Sequence, residues 1–83
     1  MSYAVIWLPE AMTAYRRLRA VDPDGAKRIA NVVAGLAAEP RPAESSGLGG
    51  TNFRRIRLER YRLLYEVTDD AVRVMDVGRV IGR

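Results

Sequence analysis

Three rhythms of hydrophobic and polar positions follow one another along this chain. The stretch SYAVIWL at residues 2–8 is short, apolar and rich in β-formers, and it runs into Pro9, whose fixed φ suits a first helical turn. A strand followed by a helix is predicted. Past Pro9, Met12, Tyr15 and Leu18 recur at three-residue spacing and define one face to bury, while Arg16, Arg17 and Arg19 project elsewhere as a solvated surface. Asp22 and Pro23 then form a good N-cap and first helical residue. Ala26, Ile29, Val33 and Leu36, with Val32 and Ala37 alongside, make an apolar stripe over nearly four turns that Pro40 ends. The two helices should form a hairpin, with Gly25 and Gly35 as weak points in the second.

Residues 39–52, EPRPAESSGLGGTN, have no periodicity and read as a loop. SGLGG is not followed by a Lys-Ser/Thr pair or a helix, so a phosphate-cradling loop is not indicated. The remainder reads as three strands, residues 52–58, 61–68 and 71–79, joined by turns at Glu59-Arg60 and Asp69-Asp70. The expected fold is α+β in the order β-α-α-β-β-β, an antiparallel meander with a helical hairpin on one face, in a single domain spanning 1–83.

Two-residue turns set the strand register, and alternation then assigns each side chain a face. Ile56, Leu58, Tyr61, Leu63, Tyr65, Val67, Val72 and Val74 fall on the face toward the helices. Phe53, Arg55, Arg57, Arg62, Leu64, Glu66, Arg73, Met75, Val77 and Arg79 fall on the other. There Glu66 faces Arg73, a favourable cross-strand pair, whereas Arg57 faces Arg62, where like charges should destabilise the sheet. Planar guanidinium forks crowded on a helix-free face suit phosphate oxygens, and Phe53, Leu64 and Met75 beside them supply an apolar floor for base stacking or a partner helix.

Composition narrows the chemistry. The 83 residues include no cysteine and no histidine, which excludes disulfides, thiolate nucleophiles, zinc ribbons and imidazole proton transfer. Thirteen of the 14 basic side chains are arginine, and the net charge is +4. Residues 51–83 carry eight basic and five acidic groups, so most of the excess lies with the strands. A 48% hydrophobic content argues against disorder. Without a membrane-length apolar run or a leader-like amino terminus, a cytoplasmic protein is expected, with no membrane partner.

Element order together with LGGTNFRRIRLERYRLLYEVTDDAVRVMDVGR resembles the RelE/ParE superfamily, the toxin halves of bacterial type II toxin-antitoxin pairs. The likeness is carried by the Pro40-terminated helix, Leu48 to Gly50 before a basic strand, YRLLYEV at 61–67, the Asp-rich turn and Val77-Gly78-Arg79. It implies a RelE-like microbial ribonuclease-type fold. In the RelE-like branch, ribosome-dependent endoribonucleases cut messenger RNA with basic residues on the open sheet face. By that resemblance Arg57, Arg62 and Arg79 are the candidate catalytic residues, and Arg54, Arg55, Arg57, Arg62, Arg79 and Arg83 the candidate RNA-binding set. Arg55 and Arg57 stand where that branch keeps two strand lysines, and Arg62 where it keeps an arginine.

The sequence departs from the family pattern at Val80 and Gly49, where basic residues are usual, and a terminal tyrosine has no counterpart. Tyr61 and Glu59 are the available candidates for a general base. The resemblance also implies a cognate antitoxin, acidic and partly disordered, and neither metal nor organic cofactor. A ParE-like inhibitor of DNA gyrase, or a degenerate toxin that only binds its antitoxin in a repressor complex, are the alternatives to a ribosome- and mRNA-directed nuclease.

Overall fold

The computed structural model describes residues 2–80, so the candidate Arg83 lies outside the described residues. The elements are β1 (Ala4–Trp7), α1 (Pro9–Val21), α2 (Pro23–Gly35), β2 (Ser45–Gly47), β3 (Phe53–Leu58), β4 (Tyr61–Val67) and β5 (Ala71–Arg79). They build one five-stranded sheet in the order β1-β5-β4-β3-β2. The expected α+β arrangement is present, with two differences. The sheet is mixed rather than antiparallel throughout, because β1 returns to pair in parallel with β5. The loop before β3 contains the short strand β2, antiparallel to β3. SSG has no strand preference of its own; it is held by ladder bonds and by Ser45, whose hydroxyl donates to the Pro42 carbonyl at 2.7 Å.

Asp22 joins the two helices. Its backbone N–H closes α1 on the Leu18 carbonyl at 2.7 Å, while its side chain caps α2 by accepting from Gly25 N at 3.0 Å. One residue therefore satisfies orphan backbone groups at two helix ends, which lets the hairpin turn without a loop. Gly25, expected to be a weak point, is instead buried against Tyr61 of β4. A Cβ there would collide with the Tyr61 ring, so the glycine permits α2 to approach the sheet.

Both helices cover one face of the sheet. Ala11 and Leu18 of α1 and Ala26, Ile29 and Val33 of α2 meet Ile56, Leu63, Tyr65, Val67, Val72, Val74 and Val77. Each of the valine, leucine and isoleucine side chains among them contributes roughly 1.5–3 kcal/mol by leaving water. Trp7 and Tyr15 close the β1 end edge-to-face at 5.1 Å between centroids. The arginine triplet of α1 is exposed as expected, with Arg19 lying 5.9 Å from the Tyr15 ring centroid. Among the described residues no helix is long and apolar enough to cross a membrane.

The first hairpin has the anticipated register: Leu58 pairs with Tyr61, Arg57 with Arg62 and Arg55 with Leu64. Glu59 in its turn adopts φ 53°, a left-handed conformation uncommon for a non-glycine residue, and is held by Arg28 of α2 at 2.6 Å. The second hairpin begins as anticipated, with Val67 opposite Val72 and Glu66 opposite Arg73. It then slips by one residue at Leu64/Tyr65, where Tyr65 pairs with Val74 but Leu64 pairs with Asp76. Two residues of β5, Met75 and Asp76, thus sit between the buried Val74 and Val77. A bulge of this kind reverses the facing of everything after it. Val77, expected on the open face, belongs to the core. Arg79 is transferred with it to the helix side.

Candidate anion-binding face

The face without helices carries Arg55 and Arg57 from β3, Arg62 from β4, and, after the bulge, Asp76 from β5. Arg57 and Arg62 are directly cross-strand and both exposed, so two cations face each other across the hairpin. Arg55 lies two residues before Arg57 on the same strand, exposed between Leu64 and Ser46. Phe53, Leu64 and Met75 are half-buried around them. At the far end Glu66 and Arg73 form the expected cross-strand pair at 3.4 Å.

Arg62 is the most constrained of the three. Its cross-strand partner on β5 is Gly78, and a Cβ added to Gly78 would come within 3.0 to 3.2 Å of the guanidinium nitrogens. The missing side chain is therefore a seat for the fork. One guanidinium nitrogen donates to the Arg79 carbonyl and the other to Asp76 Oδ2, each at 3.5 Å. Arg62 remains 48% exposed and Asp76 45% exposed, so the pair is open to solvent.

Arg54 and Arg79 do not join this group. Arg54 pairs with Tyr65 in the ladder and so projects toward the helix side, where its Nε donates to Ser45 Oγ at 2.9 Å. Arg79 pairs with Tyr61, and its guanidinium lies 3.3 Å from Asp22 Oδ2. Its placement on the open face assumed unbroken alternation, and the bulge removes that assumption. Val80 donates its backbone N–H to the Arg60 carbonyl, extending the strand pairing past Arg79.

Neither sequence-level candidate for a base reaches the open face. The Tyr61 hydroxyl donates to Asp22 Oδ2 at 2.6 Å, and that hydrogen bond, with burial and the nearby carboxylate charge, raises the phenol's pKa. The same hydroxyl, the Gly25 N–H and Arg79 hold the Asp22 carboxyl below the usual range, although partial desolvation opposes them. Glu59 is taken by Arg28, whose own pKa it raises through their hydrogen bond and charge. The carboxylate that does reach the site, Asp76, was not singled out by sequence. A signal existed: unbroken alternation would have driven an aspartate under the helices, and the three-residue step from Val74 to Val77 marks where alternation fails. Among the described residues no three acidic side chains converge to hold a metal ion.

A small sheet with a helical hairpin on one face and arginines on the other leaves one surface free to meet an anionic partner. The sequence model described as the ParE toxin of type II toxin-antitoxin system, parDE, matches residues 5–80. The chain belongs to this family, within the RelE/ParE superfamily that its residues resemble. No curated protein matches it significantly in sequence. Among solved structures, it is similar to a chain of the RelBE2 toxin-antitoxin complex from Mycobacterium tuberculosis, with TM-score 0.79, 21% identity, and 95% of this chain and 99% of that one covered. It is likewise similar to a double mutant of the E. coli toxin RelE in the free state, with TM-score 0.79, 23% identity and coverage of 95% and 84%. A chain of the E. coli DinJ-YafQ toxin-antitoxin complex matches with TM-score 0.77, 16% identity and coverage of 95% and 93%. At these identities the likeness speaks for the fold.

Proposed function

We propose that this toxin is an endoribonuclease that cuts messenger RNA at the ribosome and so inhibits translation, with Arg57 and Arg62 gripping the scissile phosphate and Arg55 the neighbouring backbone. The observation that carries this reading is the pair of guanidinium groups set directly opposite one another on the open face. Like charges there cost the sheet stability, and a polyanion between them relieves that cost while using their fork geometry. With the phosphate held, one guanidinium orients it and the other stabilises the charge that develops as the 2′-hydroxyl attacks. The resemblance to RelE-like toxins supports the choice of substrate.

A cognate antitoxin is the proposed protein partner, supported by the structural neighbours that are toxin-antitoxin complexes. A second reading, inhibition of DNA gyrase without cleavage, is favoured by the match to the ParE toxin model over residues 5–80 and by Arg79, a candidate catalytic residue, being held by Asp22 on the helix side. Induction of the protein in cells separates the two. Codon-positioned breaks in translated messages are expected, whereas intact messages together with blocked supercoiling would select the gyrase reading. Arg62→Ala and Arg57→Ala should each weaken RNA capture by about tenfold or more, the scale of losing a charge-assisted hydrogen bond, and relieve toxicity in a protein that still folds. A folded double variant with full toxicity would remove the site.

A further inference from the structure

Attack by a 2′-hydroxyl requires somewhere for its proton to go. Arginine does not accept one, and the chain has no histidine or cysteine. Tyr61 is turned to Asp22 and Glu59 to Arg28, both away from the open face. Of the carboxylates on that face among the described residues, Glu66 is engaged by Arg73 at the far end of the strands.

We propose that Asp76 is the proton acceptor of the RNA-cleaving site, an assignment that rests on the nuclease reading above. The bulge in β5 is what makes it available, because in unbroken alternation its side chain would lie under the helices. Asp76 is opposite Leu64 in the ladder, and its side-chain contact is a diagonal cross-strand ion pair with Arg62, 3.5 Å away, which sets the carboxylate beside the guanidinium that would hold the phosphate. A phosphate held by Arg62 brings the adjoining ribose to the carboxylate. Asp76 is also half-exposed, as a group that must meet substrate has to be. The charged groups sharing its face are Arg62 and Glu66 on β4, Arg73 on its own strand, and Arg55 and Arg57 on β3, while β1 contributes the uncharged, exposed Ile6.

In the step itself Asp76 Oδ2 takes the 2′-hydroxyl proton, and O2′ bonds to the adjacent phosphorus. The bond from phosphorus to O5′ breaks, the leaving O5′ takes a proton from solvent water, and Asp76 later returns its own proton to solvent. Arg57 and Arg62 stabilise the extra negative charge on the non-bridging oxygens. The products are a 2′,3′-cyclic phosphate and a 5′-hydroxyl end.

The test uses the full chain with ribosomes programmed with a defined message under single-turnover conditions. Asp76→Asn should cut about 10²- to 10⁴-fold more slowly and lose the acid limb of the pH–rate profile. It should bind a message carrying a 2′-deoxy residue at the cut position as tightly as the unaltered protein, or more so, and Asp76→Glu should recover part of the rate and the acid limb. Asp76→Asn cutting at the original rate overturns the assignment and leaves the nuclease reading standing. Loss of binding in step with cleavage also overturns it, since the carboxylate would then be organising Arg62. Failure of the unaltered protein to cut overturns both readings.

Discussion

Arg62 shows how much of the proposed binding site depends on an atom that is absent. Its guanidinium rests over Gly78 between a carbonyl and a carboxylate, and the smallest addition to Gly78 would meet it at 3.0 Å. Gly78→Ala should therefore displace the fork and weaken RNA binding about tenfold, with little change in thermal stability because the crowded neighbour is the end of a flexible, half-exposed side chain. Fluorescence titration with single-stranded RNA, alongside a melting curve, separates that outcome from a general loss of folding. Tyr65 is the contrasting case. It is fully buried and donates its hydroxyl to the Pro40 carbonyl at 2.8 Å, tying the end of the helical hairpin to the central strand. Burial pushes its phenol pKa up. Tyr65→Phe leaves that carbonyl without its donor and should cost about 1–2 kcal/mol in urea unfolding, with the open face and RNA binding unchanged.

Between elements, the junction at Asp22 gathers two helices and two strands. Its carboxylate accepts from the α2 backbone, from Tyr61 of β4 and from Arg79 of β5. These contacts favour the charged form, so the folded carboxyl titrates below its unfolded value of about 3.9. A depressed carboxyl contributes stability that is fully present above the unfolded value and is lost as pH falls through the folded one. The melting temperature of the unaltered protein should accordingly exceed that of Asp22→Asn at pH 7, and the margin should shrink below about pH 4. An unchanged margin down to pH 2 would show that the carboxylate's charge is not what joins these elements. Gly25→Ala probes the same junction from the side of α2: its Cβ would press on the Tyr61 ring and should destabilise by about 1–3 kcal/mol, although alanine is the better helix former.

At the scale of the whole molecule, the sheet separates two tasks. One face is spent on the core, and the other keeps Arg55, Arg57 and Arg62 in solvent with Asp76 beside them. If these three arginines each neutralise one phosphate, the logarithm of the affinity for single-stranded RNA should fall against the logarithm of salt with a slope of about −2. Arg54→Ala and Arg79→Ala should leave that slope unchanged, since both side chains lie on the helix side, whereas removing Arg57 or Arg62 should make it shallower.

Much of this arrangement is legible in the sequence because it depends on local rules. Pro9, Asp22 and Pro23 mark the helix starts, period-three spacing marks their buried faces, and the two-residue turn at Glu59-Arg60 sets the pairing that brings Arg57 opposite Arg62. The extra residue in β5 was not legible in the same way, since a bulge is decided by how the strand fits both its neighbour and the helices above it. That one slip sends Val77 into the core, carries Arg79 to Asp22, and turns Asp76 outward. Sequence alone determined the elements, the first hairpin and the existence of a cationic face, because those follow from nearest-neighbour geometry. Tertiary structure alone decided that Asp76 rather than Arg79 shares that face, because facing accumulates along a strand and a single added residue reverses everything after it.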